Sequence, residues 1–211
     1  ATTQVAALAA IQVGALDETA VAALSNTQIA ALTTTGLKGL TSTQVAGLTL
    51  DQLGALATTQ VAALTTAAVR GLTATELGAL STTQLGALAT TQIAALSEGQ
   101  VEALGTTQLG RLTTTQAAAL SASGLDGLTT TQVAALATAQ VAALTTTALR
   151  SLDETQIAAL TTTQIGRLGT QQIAGLAGTQ VAAFTATQFA ALTTTQIGAL
   201  SSAAVPSLTT T

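Results

Sequence analysis

Leucine recurs at every eighth position of this 211-residue chain. Of the 26 multiples of eight up to 208, 25 are Leu and the other is Phe184. The chain is therefore 26 octapeptides followed by three residues, with no octad inserted, deleted or interrupted. A short period kept this strictly restricts the fold to one small unit stacked on copies of itself. Residues 1–211 are expected to form a single repeat array. It starts without Met at the first position of a repeat and stops at the third position of another, as a segment of a longer array would.

Each position of the octad has its own chemistry. With Leu at position 8, position 5 is Val, Ile or Leu in 24 octads, Ala117 and Phe189 being the exceptions. Position 4 is Gln in 19 octads and Glu in one, Glu76. Position 1 is Ser, Thr or Asp in 18, and Ala or Gly in the other eight. Positions 6 and 7 are mostly Ala or Gly. The most typical unit is TTTQVAAL, Thr129 to Leu136. A disordered Thr/Ala linker would not sort its residues this way. Disorder also goes with low hydrophobicity and high charge, whereas this chain is 48% apolar and 7% charged.

Ser, Thr or Asp followed three residues later by Gln or Glu is the capping box of a helix N-terminus. The oxygen at position 1 accepts from the N–H at position 4, and the side chain at position 4 reaches back to the N–H at position 1. Leu at the end of one octad and the apolar residue at position 5 of the next stand where a hydrophobic staple stands. The only two Phe, Phe184 and Phe189, occupy one such pair. Each octad thus reads as a short helix that begins after position 1 and runs to about position 8. Asp17, Glu18, Asp153 and Glu154 fall at the start of such helices, where the helix dipole favours negative charge. Gly at positions 6 and 7 costs up to about 1 kcal/mol of helix propensity, which points to close approach of a neighbouring backbone.

The period argues against one continuous helix, since the apolar stripe would drift about 80° per octad. The rival is a β-solenoid, favoured by the Thr, Val and Ile content. Against it, T-T-T-Q-V-A-A-L does not alternate with period two. The expected fold is all-α: a solenoid of very short capped helices, one per octad. An isolated octad cannot fold. It brings two large apolar side chains worth roughly 1.5–3 kcal/mol each, against an ordering cost of about 1–2 kcal/mol per residue.

Six octads carry a residue other than Ala or Gly at position 6: Lys38, Arg70, Glu102, Asp126, Arg150 and Pro206. Five of them lack the position 4 Gln, having Gly36, Ala68, Gly124, Ala148 and Ala204. These six lie in octads 5, 9, 13, 16, 19 and 26, a spacing consistent with about 3.5 octads, or 28 residues, per turn of a superhelix. Pro206 would fall late in its short helix, so octad 26 is expected to be irregular.

Several function classes are excluded or left unsupported by residue content. His and Cys are absent, which removes the usual zinc, haem and iron–sulfur ligands and any Ser-His-Asp triad. No G-x-x-x-x-G-K-[ST] phosphate loop occurs. Five Lys+Arg against nine Asp+Glu give no electrostatic footprint for nucleic acid. Mean hydropathy is +0.56, yet the longest run free of polar residues is Val5 to Ile11, far short of the about 20 that a spanning helix needs. The adjacent carboxylates Asp17-Glu18 and Asp153-Glu154 read as helix starts rather than as an acid/base pair. Glu98 and Glu102 read as a solvated helix face, and Arg111 and Arg167 as surface charges. No catalytic, cofactor or metal residue is expected.

The run LTTTQVAALATAQVAALTTT, Leu128 to Thr147, resembles the Thr/Gln/Ala/Leu octapeptide tracts of very large secreted bacterial repeat proteins, described as adhesin-like or filament-forming. The resemblance covers essentially the whole chain, and such tracts carry no catalytic motif to transfer. The pattern L-[ST]-x-x-Q-[VI]-x-x-L also looks like the short capped helices of mesothelin-type superhelical proteins, though the Pro-Glu that follows the cap there is missing. The resemblance implies a structural, non-enzymatic protein outside the cell or at the bacterial cell surface, forming a filament or adhesin stalk. Its expected partner is a further copy of itself, met end to end or laterally. The alternative is a binding module whose Thr-lined face meets ice or carbohydrate.

Overall fold

The computed structural model describes residues 1–202. Within them lie 25 helices of four to six residues, one in each of octads 1 to 25, and no strand. The fold is an all-α solenoid of capped short helices. Ala204 and Pro206, and with them the expectation about octad 26, lie outside the described residues. The chain forms two compact units, Ala1–Leu104 and Gly105–Thr211, and the boundary falls between two octads.

Octad 20 shows how the local chemistry sets the unit. Asp153 stands before the helix with extended backbone, φ −74° and ψ 174°. Its carboxylate accepts the Gln156 N–H at 2.7 Å, and Gln156 Oε1 accepts the Asp153 N–H at 2.9 Å. The helix spans Glu154–Ala159, and Leu160 then returns to extended backbone, φ −60° and ψ 134°. Where position 1 is Ala or Gly, only the Gln half of the box forms, as in Gln60 Oε1 with the Ala57 N–H at 2.8 Å.

The helices end earlier than the sequence suggests. They stop at position 7 or before it, and Leu at position 8 is not helical. The reason is the staple: that Leu also precedes the next cap, so its backbone must already be turning away. Positions 8 and 1 of each junction redirect the chain, and among the described residues none takes a positive φ to do so.

Helices three octads apart pack on one another within each unit: those of octads 1 and 4, 6 and 9, 15 and 18, and 17 and 20. The core is the row of position 5 residues, with Ile29, Val45, Leu77, Ile93, Leu125 and Ile157 fully buried. Leu at position 8 closes it, for example Leu56, Leu88, Leu128 and Leu160. Phe184 and Phe189 meet edge to face, with ring centroids 6.4 Å apart at 61°, so the staple contact expected from the sequence is made.

Close approach explains some of the glycines. A methyl group on Gly39 would overlap the Ala10 main chain, and one on Gly71 the Ser42 main chain. These are close approaches between octads three apart. Gly54 and Gly86, at position 6, face open space instead, so the expectation of backbone contact does not hold there.

Candidate functional site

The feature that organises each unit is the glutamine at position 4. It is buried in octad after octad: Gln44, Gln52, Gln84, Gln140, Gln156 and Gln164 are each at most 5% exposed. Local capping accounts for only one end of its carboxamide. In octad 21, Gln164 Oε1 accepts the Thr161 N–H at 2.6 Å, and the Thr161 hydroxyl accepts the Gln164 N–H at 3.2 Å. The Gln164 Nε2 then donates to the Val133 carbonyl at 3.0 Å and the Leu136 carbonyl at 2.8 Å. Both stand at the end of the octad 17 helix: the Val133 carbonyl also accepts the Leu136 N–H at 3.3 Å, while the Leu136 carbonyl lies past the last N–H the helix can offer. One side chain therefore caps the start of its own helix and the end of another, a turn of the coil away.

The same bridge recurs at one register. Thirteen described glutamines donate from Nε2 to the Leu carbonyl 28 residues earlier within their own unit, at 2.5–2.9 Å. Twenty-eight residues are three and a half octads. Within each unit, a bridged octad accordingly packs on the helix three before it and hydrogen-bonds to the one four before it. The spacing of the variant octads had pointed to this figure. The bridge itself escaped the sequence reading, because the capping box already gave Gln a sufficient role. The available signal was the amide: a capping box is satisfied by Glu as well, yet Gln is used almost throughout.

The position 6 residues Lys38, Arg70, Glu102, Asp126 and Arg150 are all exposed. The helices of octads 16 and 19, which carry Asp126 and Arg150, pack together in the second unit. The acidic pairs are helix starts. Asp17 accepts the Ala20 N–H at 2.6 Å and the Thr19 hydroxyl at 2.7 Å. The Thr19 hydroxyl and then the Ala20 N–H hold its carboxyl below the usual value. At Asp153 the Gln156 N–H has the larger effect and the Thr155 hydroxyl the next, in the same direction. Glu18, Glu154 and Glu98 are exposed, as are Arg111 and Arg167.

Asp17, Glu18, Thr19, Thr41, Thr43 and Gln44 border one shallow, open depression. Both carboxylates there stand at a helix start, and Gln44 is committed to the Val13 and Leu16 carbonyls. Another depression is lined by Thr138, Ala139, Ala142 and Arg167. Among the described residues, no cluster of three or more carboxylates could hold a metal ion. No helix among them is long and apolar enough to cross a membrane.

The exposed hydroxyls are partly spoken for. The position 1 hydroxyls cap helices, and several position 3 hydroxyls pair with them: Thr41 with Thr43 at 3.1 Å, Thr113 with Thr115 and Thr185 with Thr187 at 3.0 Å.

A search of curated proteins finds no match. The family model described as the ALTTAQ repeat matches residues 21–58, 54–90, 82–114 and 133–170. These spans take in more than half of the chain, and each contains whole octads whose Gln bridges are described above. The chain belongs to the ALTTAQ repeat family.

Proposed function

We propose that this chain is a structural, non-enzymatic scaffold, working outside the cell or at the bacterial cell surface as part of a filament or adhesin stalk. The observation that carries this reading is the Gln bridge at a constant 28-residue register. It makes every bridged octad a cap for an earlier one, so the assembly extends by adding identical contacts. Such an array is suited to reach and rigidity. Its surface is weakly charged, with Lys+Arg 5 and Asp+Glu 9 in the whole chain. Low charge opposes self-association weakly, and identical faces repeat along each unit. Self-association, end to end or lateral, follows from that repetition.

The binding-module reading, with Thr hydroxyls meeting ice or a glycan, has less support. Position 1 hydroxyls are engaged as caps and several position 3 hydroxyls are paired with them. Negative-stain electron microscopy of the purified chain, with light scattering across concentration, tests the choice. Polymers or bundles with an axial repeat are expected. A dispersed monomer at all concentrations, with thermal hysteresis or retention on a glycan array, overturns the filament reading.

A further inference from the structure

Octad 19 lacks the bridge. Ala148 stands where the carboxamide would be, between octads 18 and 20, which both have one. Gln140 joins the Ala137 N–H at 2.7 Å to the Leu112 carbonyl at 2.7 Å. Gln156 joins the Asp153 N–H at 2.9 Å to the Leu128 carbonyl at 2.7 Å. These two bridges hold octads 18 and 20 at bridge spacing from the turn beneath, and octad 19 lies between them.

The groups that a carboxamide in place of Ala148 would have served are the Thr145 N–H, the Leu120 carbonyl 28 residues back and the Ala117 carbonyl 31 residues back. Among the described residues, the Thr145 N–H and the Leu120 carbonyl have no protein partner, and the Ala117 carbonyl receives only the Leu120 N–H of its own turn. Ala117 and Leu120 are 1% and 4% exposed. Ala117 is also the one position 5 residue without a branched or aromatic side chain. Two truncations of the repeat, Ala117 and Ala148, thus stand 31 residues apart, the separation at which other octads place a bridge such as Gln140 to Leu109. Buried main-chain polar groups are paired with protein or with ordered water.

We propose that this site binds one ordered water molecule that replaces the carboxamide. The bonding capacity matches. The carboxamide accepts one N–H at Oε1 and donates two hydrogens from Nε2. Water likewise accepts from the Thr145 N–H and donates to the Leu120 and Ala117 carbonyls. With bonds of about 2.8 Å, it bridges a donor and an acceptor roughly 5 Å apart. Three polar partners are the usual complement of a buried structural water. The arrangement recurs in the first unit at Ala68, which is fully buried, with the Thr65 N–H and the Leu37 and Leu40 carbonyls in the same roles.

A high-resolution crystal structure of the full chain tests this directly. Expected is a density peak within hydrogen-bond distance of Thr145 N, Leu120 O and Ala117 O. In Ala148→Gln the side-chain carboxamide takes its place. Oxygen-17 relaxation dispersion in solution, which counts long-lived internal waters, is expected to show one fewer in Ala148→Gln. A direct Thr145 N–H to Leu120 carbonyl bond, or a site with no peak, overturns the proposal. So does an unchanged water count in a folded Ala148→Gln. Should that variant not fold, the wild-type density decides alone.

Discussion

Gln188 Nε2 donates to the carbonyl of Leu160 at 2.6 Å across 28 residues, while its Oε1 accepts the Thr185 N–H at 2.8 Å three residues away. One carboxamide, 2% exposed, thereby joins a helix start on one turn to a helix end on the turn before.

Removing such a bridge costs more than removing a surface hydrogen bond. Gln164→Ala is expected to destabilise its unit by about 2 kcal/mol, because it unpairs a cap N–H and a buried carbonyl together. Gln164→Glu keeps the acceptor and loses both donors, so it should separate the two roles. Urea denaturation followed by far-UV circular dichroism measures both. If Gln164→Ala leaves the midpoint unchanged, the bridge is not a stabilising contact.

Glu76 is a natural version of that second change. Its Oε2 accepts the Thr73 N–H at 2.6 Å, and it is 5% exposed. A carboxyl group lacks the two N–H hydrogens that a carboxamide would offer the Val45 and Leu48 carbonyls at the bridge register. Glu76→Gln is expected to stabilise the first unit by about 1 kcal/mol, read as a higher denaturation midpoint. A lower midpoint would show that the carboxylate serves better there than an amide.

The glycines divide into two groups that a methyl scan should distinguish. Gly71→Ala places a methyl against the Ser42 main chain and is expected to destabilise by about 1–3 kcal/mol through overpacking. Gly54→Ala meets nothing within 4 Å and should gain about 0.5–1 kcal/mol of helix propensity. Equal effects at the two sites would contradict the packing of octad 9 on octad 6.

Acid should weaken the Asp cap of octad 20. The Gln156 N–H and then the Thr155 hydroxyl lower the Asp153 carboxyl from its ordinary 3.8. A depressed folded value means that the contribution is present above the unfolded value and lost as pH falls through the folded one. Thermal melts of the wild type and Asp153→Ser between about pH 6 and about pH 2.5 should therefore converge at the acid end. A constant offset across that window would rule out a charge-dependent cap.

The contacts between residues within five positions of one another were legible in the sequence. Asp153 and Gln156 form the capping box, Phe184 and Phe189 form the staple, and a break at each octad follows from the drift of an eight-residue period. Each of these depends on local geometry that any chain with those residues would share. The variant octads also carried the 28-residue period, since a superhelix repeats its environment once per turn. Tertiary structure alone decided the rest. The Gln164 Nε2 finds the Leu136 carbonyl only because the coil brings octad 17 beneath octad 21. Gly71 is required and Gly54 is not because one faces the Ser42 main chain and the other open space. Those partners lie about one superhelical turn away, and their distance is set by how helices stack rather than by any pattern within an octad.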